Sequence, residues 1–291
     1  VKIMTRCAEG QRRVETWGLS DEYVSAIEKT RTDERRDKAL VAAAMSLPSE
    51  AYLGEFVDVI DPQALHEARR FVLRSLAAAL REPLLKVYEA NVEEGEYCAD
   101  AASIGRRALK NVCLSYLMEL DDADVRTQCV SQFGSANNMT DVIIAFSCLA
   151  NTEGKERPEA LAAFYTQWQD DPLVVDKWLA LQATSRLPGA LSNVQALTKH
   201  AAFSIKNPNK VRALIGTFCN GNPSQFHAKD GAGYTFLAEY IVALDTLNPQ
   251  VAARLCNPFS QWRRYDEQRQ SLMKAQMERV LEKPGVSRDV Y

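Results

Sequence analysis

The sequence predicts an all-α protein, an irregular α-solenoid or superhelix of stacked antiparallel helical hairpins. Three observations predict it. Six of the eleven prolines directly follow an Asp or Asn. Apolar residues recur at helical spacing through most of the chain, and a sustained β-branched alternation is absent. The breaks between periodic stretches are short.

The Asx-Pro pairs are Asp61-Pro62, Asp171-Pro172, Asn207-Pro208, Asn222-Pro223, Asn248-Pro249 and Asn257-Pro258. Each reads as a helix start. An Asx side chain accepts from the free N–H groups of a first turn. Proline suits the first helical position because it has no N–H to leave unpaired and its φ is already helical. Proline also pushes the preceding residue out of the α region, where an N-cap belongs.

In chain order, residues 101–118 carry Ala101, Ile104, Ala108, Leu109, Val112 and Leu117 on one face. Asn137 to Asp141 opens a helix that buries Val142, Ile143, Phe146 and Leu149. After Asp171-Pro172 come Leu173, Val174, Trp178, Leu179 and Leu181; after Asn207-Pro208 come Val211, Leu214, Ile215 and Phe218. Residues 234–247 hold Tyr234, Leu237, Tyr240, Ile241, Leu244 and Leu247. Gly95, Gly154, Pro188-Gly189, Gly221 and Gly231 mark the turns between such stretches. No exact repeat shows at a fixed period, so a regular armadillo or HEAT array is not demanded. With no long Gly/Ser/Pro linker, residues 1–291 read as one domain.

Composition narrows the function. A net charge of −3 and a pI near 5.8 favour neither nucleic acid nor an anionic membrane as a partner. No apolar run approaches the ~20 residues that span a bilayer. The first seven residues lack the apolar stretch of a secretory signal and do not begin with Met, as expected of a fragment or a processed chain. The seven cysteines are Cys7, Cys98, Cys113, Cys129, Cys148, Cys219 and Cys256. They are odd in number, spread out, and form no C-x-x-C pair. They read as buried free thiols of a reducing, cytoplasmic compartment.

No complete catalytic signature is present. His66-Glu67-Ala68-Arg69-Arg70 begins like H-E-x-x-H but has Arg where the second imidazole of a zinc site belongs. It reads as a surface helix. His227 sits in a short loop without a nucleophile signature. Gly231-Ala232-Gly233 follows no strand and lacks the context of a phosphate loop. Asp121-Asp122-Ala123-Asp124 and Asp170-Asp171 read as charge at helix N-termini. Trp262-Arg263-Arg264-Tyr265 reads as a solvated face with its aromatic residues packed inward. Neither a catalytic nor a metal-ligating residue is expected in this chain.

Several blocks in order carry a family resemblance. They include Leu47-Pro48-Ser49-Glu50, Ile60-Asp61-Pro62, Ala136-Asn137-Asn138-Met139-Thr140-Asp141 and Val175-Asp176-Lys177-Trp178. Further on are Lys206-Asn207-Pro208-Asn209-Lys210-Val211-Arg212, Phe226-His227-Ala228-Lys229-Asp230-Gly231, Asn248-Pro249-Gln250-Val251-Ala252-Ala253-Arg254 and Arg264-Tyr265-Asp266-Glu267. From about residue 40 to the end the chain resembles the C-terminal helical domain of bacterial-type aminopeptidase N, a zinc metallo-aminopeptidase family.

The resemblance implies a parent with an N-terminal β domain, a catalytic zinc domain and a β-sandwich, none of which lies in this chain. It implies a domain that is inactive alone, caps the catalytic chamber of the same polypeptide and contacts peptide substrate. Zinc would belong to the parent. The matching positions imply Arg212, Gln250 and Arg254 as peptide contacts. Gln250 and Arg254 stand four apart, on one helical face, where Arg offers a planar set of donors to carbonyls or a carboxylate. The reading from another class is a free-standing helical-repeat scaffold that binds protein or peptide.

Overall fold

The computed structural model describes residues 1, 4, 5, 25 and 37–291. Cys7 lies outside the described residues, as does most of the N-terminal segment read above. Among the described residues the structure is helical throughout, and the nearest thing to a strand is one isolated bridge between Ile60 and Tyr265. The chain, read above as one domain, divides by its contacts into two compact units. One is Val1–Ser49 with Glu67–Ala162, the other Glu50–His66 with Ala163–Tyr291.

In the first unit the helix Ala101–Leu117 is the hub, packed on Lys38–Met45, Arg81–Ala90 and Met139–Ala150. It buries Leu109, Cys113, Leu114 and Leu117. Its polar residues are buried too, because Lys110 and Asn111 both reach Asp141 in the first turn of Met139–Ala150. Gly105 lets Lys38–Met45 come close: a Cβ there would stand 3.3 Å from the Ala39 nitrogen. The sequence face needs correction at two places, since Ala101 and Ile104 are both exposed. The buried side of this helix is set by Leu109, Cys113 and Leu117 instead.

In the second unit Pro172–Ala183 packs on Ala190–Leu197 and on the chain after Pro208, while Ala232–Leu247 packs on Pro249–Leu255 and Glu267–Leu281. Val211, Leu214, Ile215 and Phe218 are all buried, as their spacing predicts. Leu173 and Leu247, placed inside by the same argument, are mostly exposed. Both stand at helix ends, where the first or last turn reaches past the layer it packs on.

The Asx-Pro device works at four of its six places. Asp61 accepts from the Gln63 and Ala64 amides, and Asp171 from those of Leu173 and Val174. Asn207 accepts from Asn209 and Asn248 from Val251. Asn222 does not cap by its side chain. Its buried amide donates to the carbonyls of Ala183 and Ser185 at 3.0 and 2.8 Å. Asn257 opens only a 3-10 turn, Asn257–Phe259, without a side-chain cap.

Candidate functional site

Asn207 and Pro208 start a helix at Pro208–Val211. Lys210 anchors it, its buried Nζ donating to the Pro172 carbonyl at 2.7 Å and to Asp176 Oδ1 at 2.8 Å. The helix then widens into a π-turn over Arg212–Gly216 before resuming as Thr217–Gly221. The Thr217 amide donates to the Arg212 carbonyl, five residues back, and the Thr217 hydroxyl donates to the same oxygen at 3.1 Å. Such π-turns recur at functional positions in helices. Here the turn carries Arg212.

Arg212 lines a cavity of about 480 Å³. Thr217 and Asn220 share its wall, and Val251, Arg254 and Leu255 of the helix Pro249–Leu255 form another side. Ala252 and Leu255 fix that helix by burial, and the Asn248 cap fixes its start. Both guanidiniums are on exposed residues. Among the described residues neither Arg212 nor Arg254 meets a carboxylate, and no acidic side chain lines the cavity. The ordinary fate of an arginine, an ion pair with a neighbouring helix, is not the fate of these two. Gln250 is exposed one turn before Arg254 and does not line the cavity. The structure therefore brings together two of the three residues singled out in the sequence.

Asn220 also lines a second concavity of about 320 Å³, with Glu50, Glu55 and His227. His66, read as a surface residue, is only partly exposed and pairs with Glu50 at 2.8 Å. His227 is buried between two phenols, its Nδ1 2.9 Å from Tyr234 and its Nε2 3.0 Å from Tyr265. A neutral imidazole has one donor and one acceptor nitrogen, so one phenol accepts and the other donates. Burial pushes the His227 pKa down to about 3, and the nearby Arg269 guanidinium pushes the same way. Burial raises the Tyr265 phenol to about 12. His227 is thus a locked neutral group without the near-neutral pKa of a general base. Among the described residues no three His, Cys, Asp or Glu side chains converge as a metal site would require.

Thr217 and Asn220 escaped the sequence reading because nothing in a Thr or an Asn marks a cavity wall. The π-turn itself leaves no sequence sign beyond Gly216, whose missing Cβ faces Arg212 and Leu255 at 3.8 and 3.9 Å.

A chain that is helical throughout its described residues has the make of a helical-repeat domain, and two arginines line an open cavity in its second unit. A family model described as a domain of unknown function (DUF3458_C) with ARM repeats matches residues 1–291, and the chain belongs to that family. It is 39% identical to aminopeptidase N of Caulobacter vibrioides over 288 residues, 99% of this chain and 33% of that protein. It is 41% identical to aminopeptidase N of Escherichia coli over 261 residues, 89% of this chain and 30% of that one. A crystal structure of Legionella pneumophila aminopeptidase A in complex with aspartic acid superposes with a TM-score of 0.88. That match has 30% identity and covers 99% of this chain and 35% of the other. The chain spans about a third of the length of the curated relatives it matches.

Proposed function

We propose that this chain is the non-catalytic C-terminal helical domain of an aminopeptidase N. It caps the catalytic chamber of its own polypeptide and contacts the peptide beyond the bond that is cut. The observation that supports this most is the pair Arg212 and Arg254, which line one cavity and, among the described residues, meet no carboxylate there. Planar donors without a protein acceptor suit the carbonyls or terminal carboxylate of a peptide. Gln250 extends the same helical face by one turn.

Zinc would be held by the rest of the polypeptide, since Arg70 stands where the second imidazole of the half-motif at His66 would be needed. What this chain supplies is position: two arginines whose backbone places are fixed by the Asn207 and Asn248 caps, the Lys210 anchor and the π-turn. The free thiols fit a reducing compartment, which we take to be the cytoplasm.

The test uses the full-length enzyme. Arg212→Ala or Arg254→Ala should raise KM for tripeptides and longer peptides by about tenfold, the loss of one charged hydrogen bond. KM for a single-residue amide, too short to reach this domain, should stay unchanged. Equal effects on both substrates would refute the peptide role. The isolated chain should release no fluorophore from an aminoacyl substrate with added zinc.

A further inference from the structure

We propose that the first unit holds a second site, for a free α-amino acid. It is a cavity of about 450 Å³, within the range of small-ligand pockets. Its walls come from the helices Arg81–Ala90, Ala101–Leu117 and Ala123–Ser135 and from the acidic segment at Glu93 and Glu96.

Two cations enter it from one helix. Arg107 and Lys110 are three residues apart, so they share a face, and both are buried. Lys110 Nζ lies 2.6 Å from Asp141 Oδ2. An ammonium has three N–H groups, and among the described residues the other two have no acceptor. Arg107 is held by Glu93 Oε2 and the Cys98 carbonyl, both at 2.8 Å, with its guanidinium over the Tyr97 ring. Glu96 is exposed at the rim and pairs with no cation among the described residues. In the wall, the buried Gln128 Oε1 meets no donor among the described residues.

The charges set the ligand class. Glu93, Glu96 and Asp141 line the cavity against Arg107 and Lys110, and Arg106 adds a further guanidinium to Glu93 from outside. The cavity is balanced, so an ion of either sign alone would leave an uncompensated charge there. A small molecule with one charge of each sign leaves none. Lys110 offers its spare N–H groups to a carboxylate, and Glu96 and Gln128 offer acceptors to an ammonium. A free α-amino acid has both groups on one carbon. The choice of an amino acid as the natural ligand rests on the aminopeptidase reading, because an exopeptidase releases one at each turnover and this site would sense its own product.

Isothermal titration of the 291-residue chain with L-alanine, propionate and propylamine tests the proposal. L-Alanine should bind saturably at millimolar concentrations, and the two half-molecules at least about tenfold more weakly. Glu96→Gln should weaken L-alanine by about tenfold. Gln128→Leu should weaken it too, and neither substitution breaks a contact that folding uses. Lys110→Met should abolish binding, with circular dichroism checking that it still folds, since it strands Asp141. Absence of saturable heat from L-alanine, binding of propionate as tight as that of L-alanine, or unchanged binding in both Glu96→Gln and Gln128→Leu would overturn the site. The titration involves no peptide hydrolysis, so its failure leaves the aminopeptidase reading intact, and failure of the KM test leaves this result standing.

Discussion

His227 and Asp141 show how much of this protein rests on single buried polar groups. His227 is neutral in the folded state, with its pKa near 3 against an unfolded value near 6.5. Between these values the unfolded chain binds the extra proton. Stability from this group is therefore complete above about pH 6.5 and falls as the pH drops through that window. We expect the folded state to lose about 2 kcal/mol from His227 alone between pH 6.5 and 5. His227→Gln should flatten the slope of urea midpoint against pH there, although it lowers stability at neutral pH. An unchanged slope would mean that another group titrates. Asp141 accepts from Lys110, Asn111 and Asn138 at 2.6, 2.7 and 3.0 Å, all at one carboxylate. Asp141→Ala leaves the Lys110 ammonium buried and unpaired and should cost about 3–5 kcal/mol in a denaturant titration. Asp141→Leu combined with Lys110→Met should recover a large part of that loss. The sequence motif ending in Asp141 reads as a helix start, and it is one, since the Asp141 amide bonds Asn138 Oδ1. Its second duty, as anion to a lysine on another helix, was not legible because sequence distance carries no sign of it.

At the scale of the element, the Asx-Pro pairs divide into two energetic kinds. Asp171 satisfies first-turn amides at an exposed end, so Asp171→Ala should cost about 1 kcal/mol. Asn222 satisfies two buried carbonyls of another segment. Asn222→Ala strands both, and its cost should be larger, about 2–3 kcal/mol. Thermal melts of the two variants side by side decide the order, and an equal loss would show that Asn222 acts only as a helix start. A second contrast lies in Gly231-Ala232-Gly233. Gly231 takes a φ of +70°, the left-handed region that favours glycine. Gly233 is helical, and the reason for it is spatial: a Cβ there would lie 2.2 Å from the Phe226 carbonyl oxygen. Gly233→Ala should therefore disrupt the turn and fall among the most destabilising single substitutions in this chain. The helices themselves were readable because capping and periodicity are local. Which caps would be turned to other uses was not, because that depends on what packs across from them.

For the molecule as a whole, the helical class and the family blocks were legible from local pattern, while the cavities were not. A cavity is made by residues distant in sequence, as Arg212 and Arg254 are, and each looked alone like any surface arginine. The thiols give a whole-chain prediction. Cys98 is exposed, against the reading of buried cysteines, whereas Cys113, Cys129 and Cys219 are buried and Cys148 and Cys256 lie between. Burial raises the Cys219 thiol, and burial likewise lifts that of Cys256. Among the described thiols, an aromatic disulfide reagent should modify Cys98 first and the buried three only in denaturant. Rapid native labelling of Cys113, Cys129 or Cys219 would contradict their burial. The π-turn at Arg212–Gly216 has one more consequence. A helix that spans five residues where an α-helix spans four holds a surplus residue, in effect a built-in insertion. Deleting one residue there would let the helix close up as an ordinary α-helix with Lys210 and Phe218 near their present places, because a π-turn absorbs an extra residue without passing its full rotation to the turns on either side. The widened turn that carries Arg212 is therefore set by chain length as much as by side-chain chemistry.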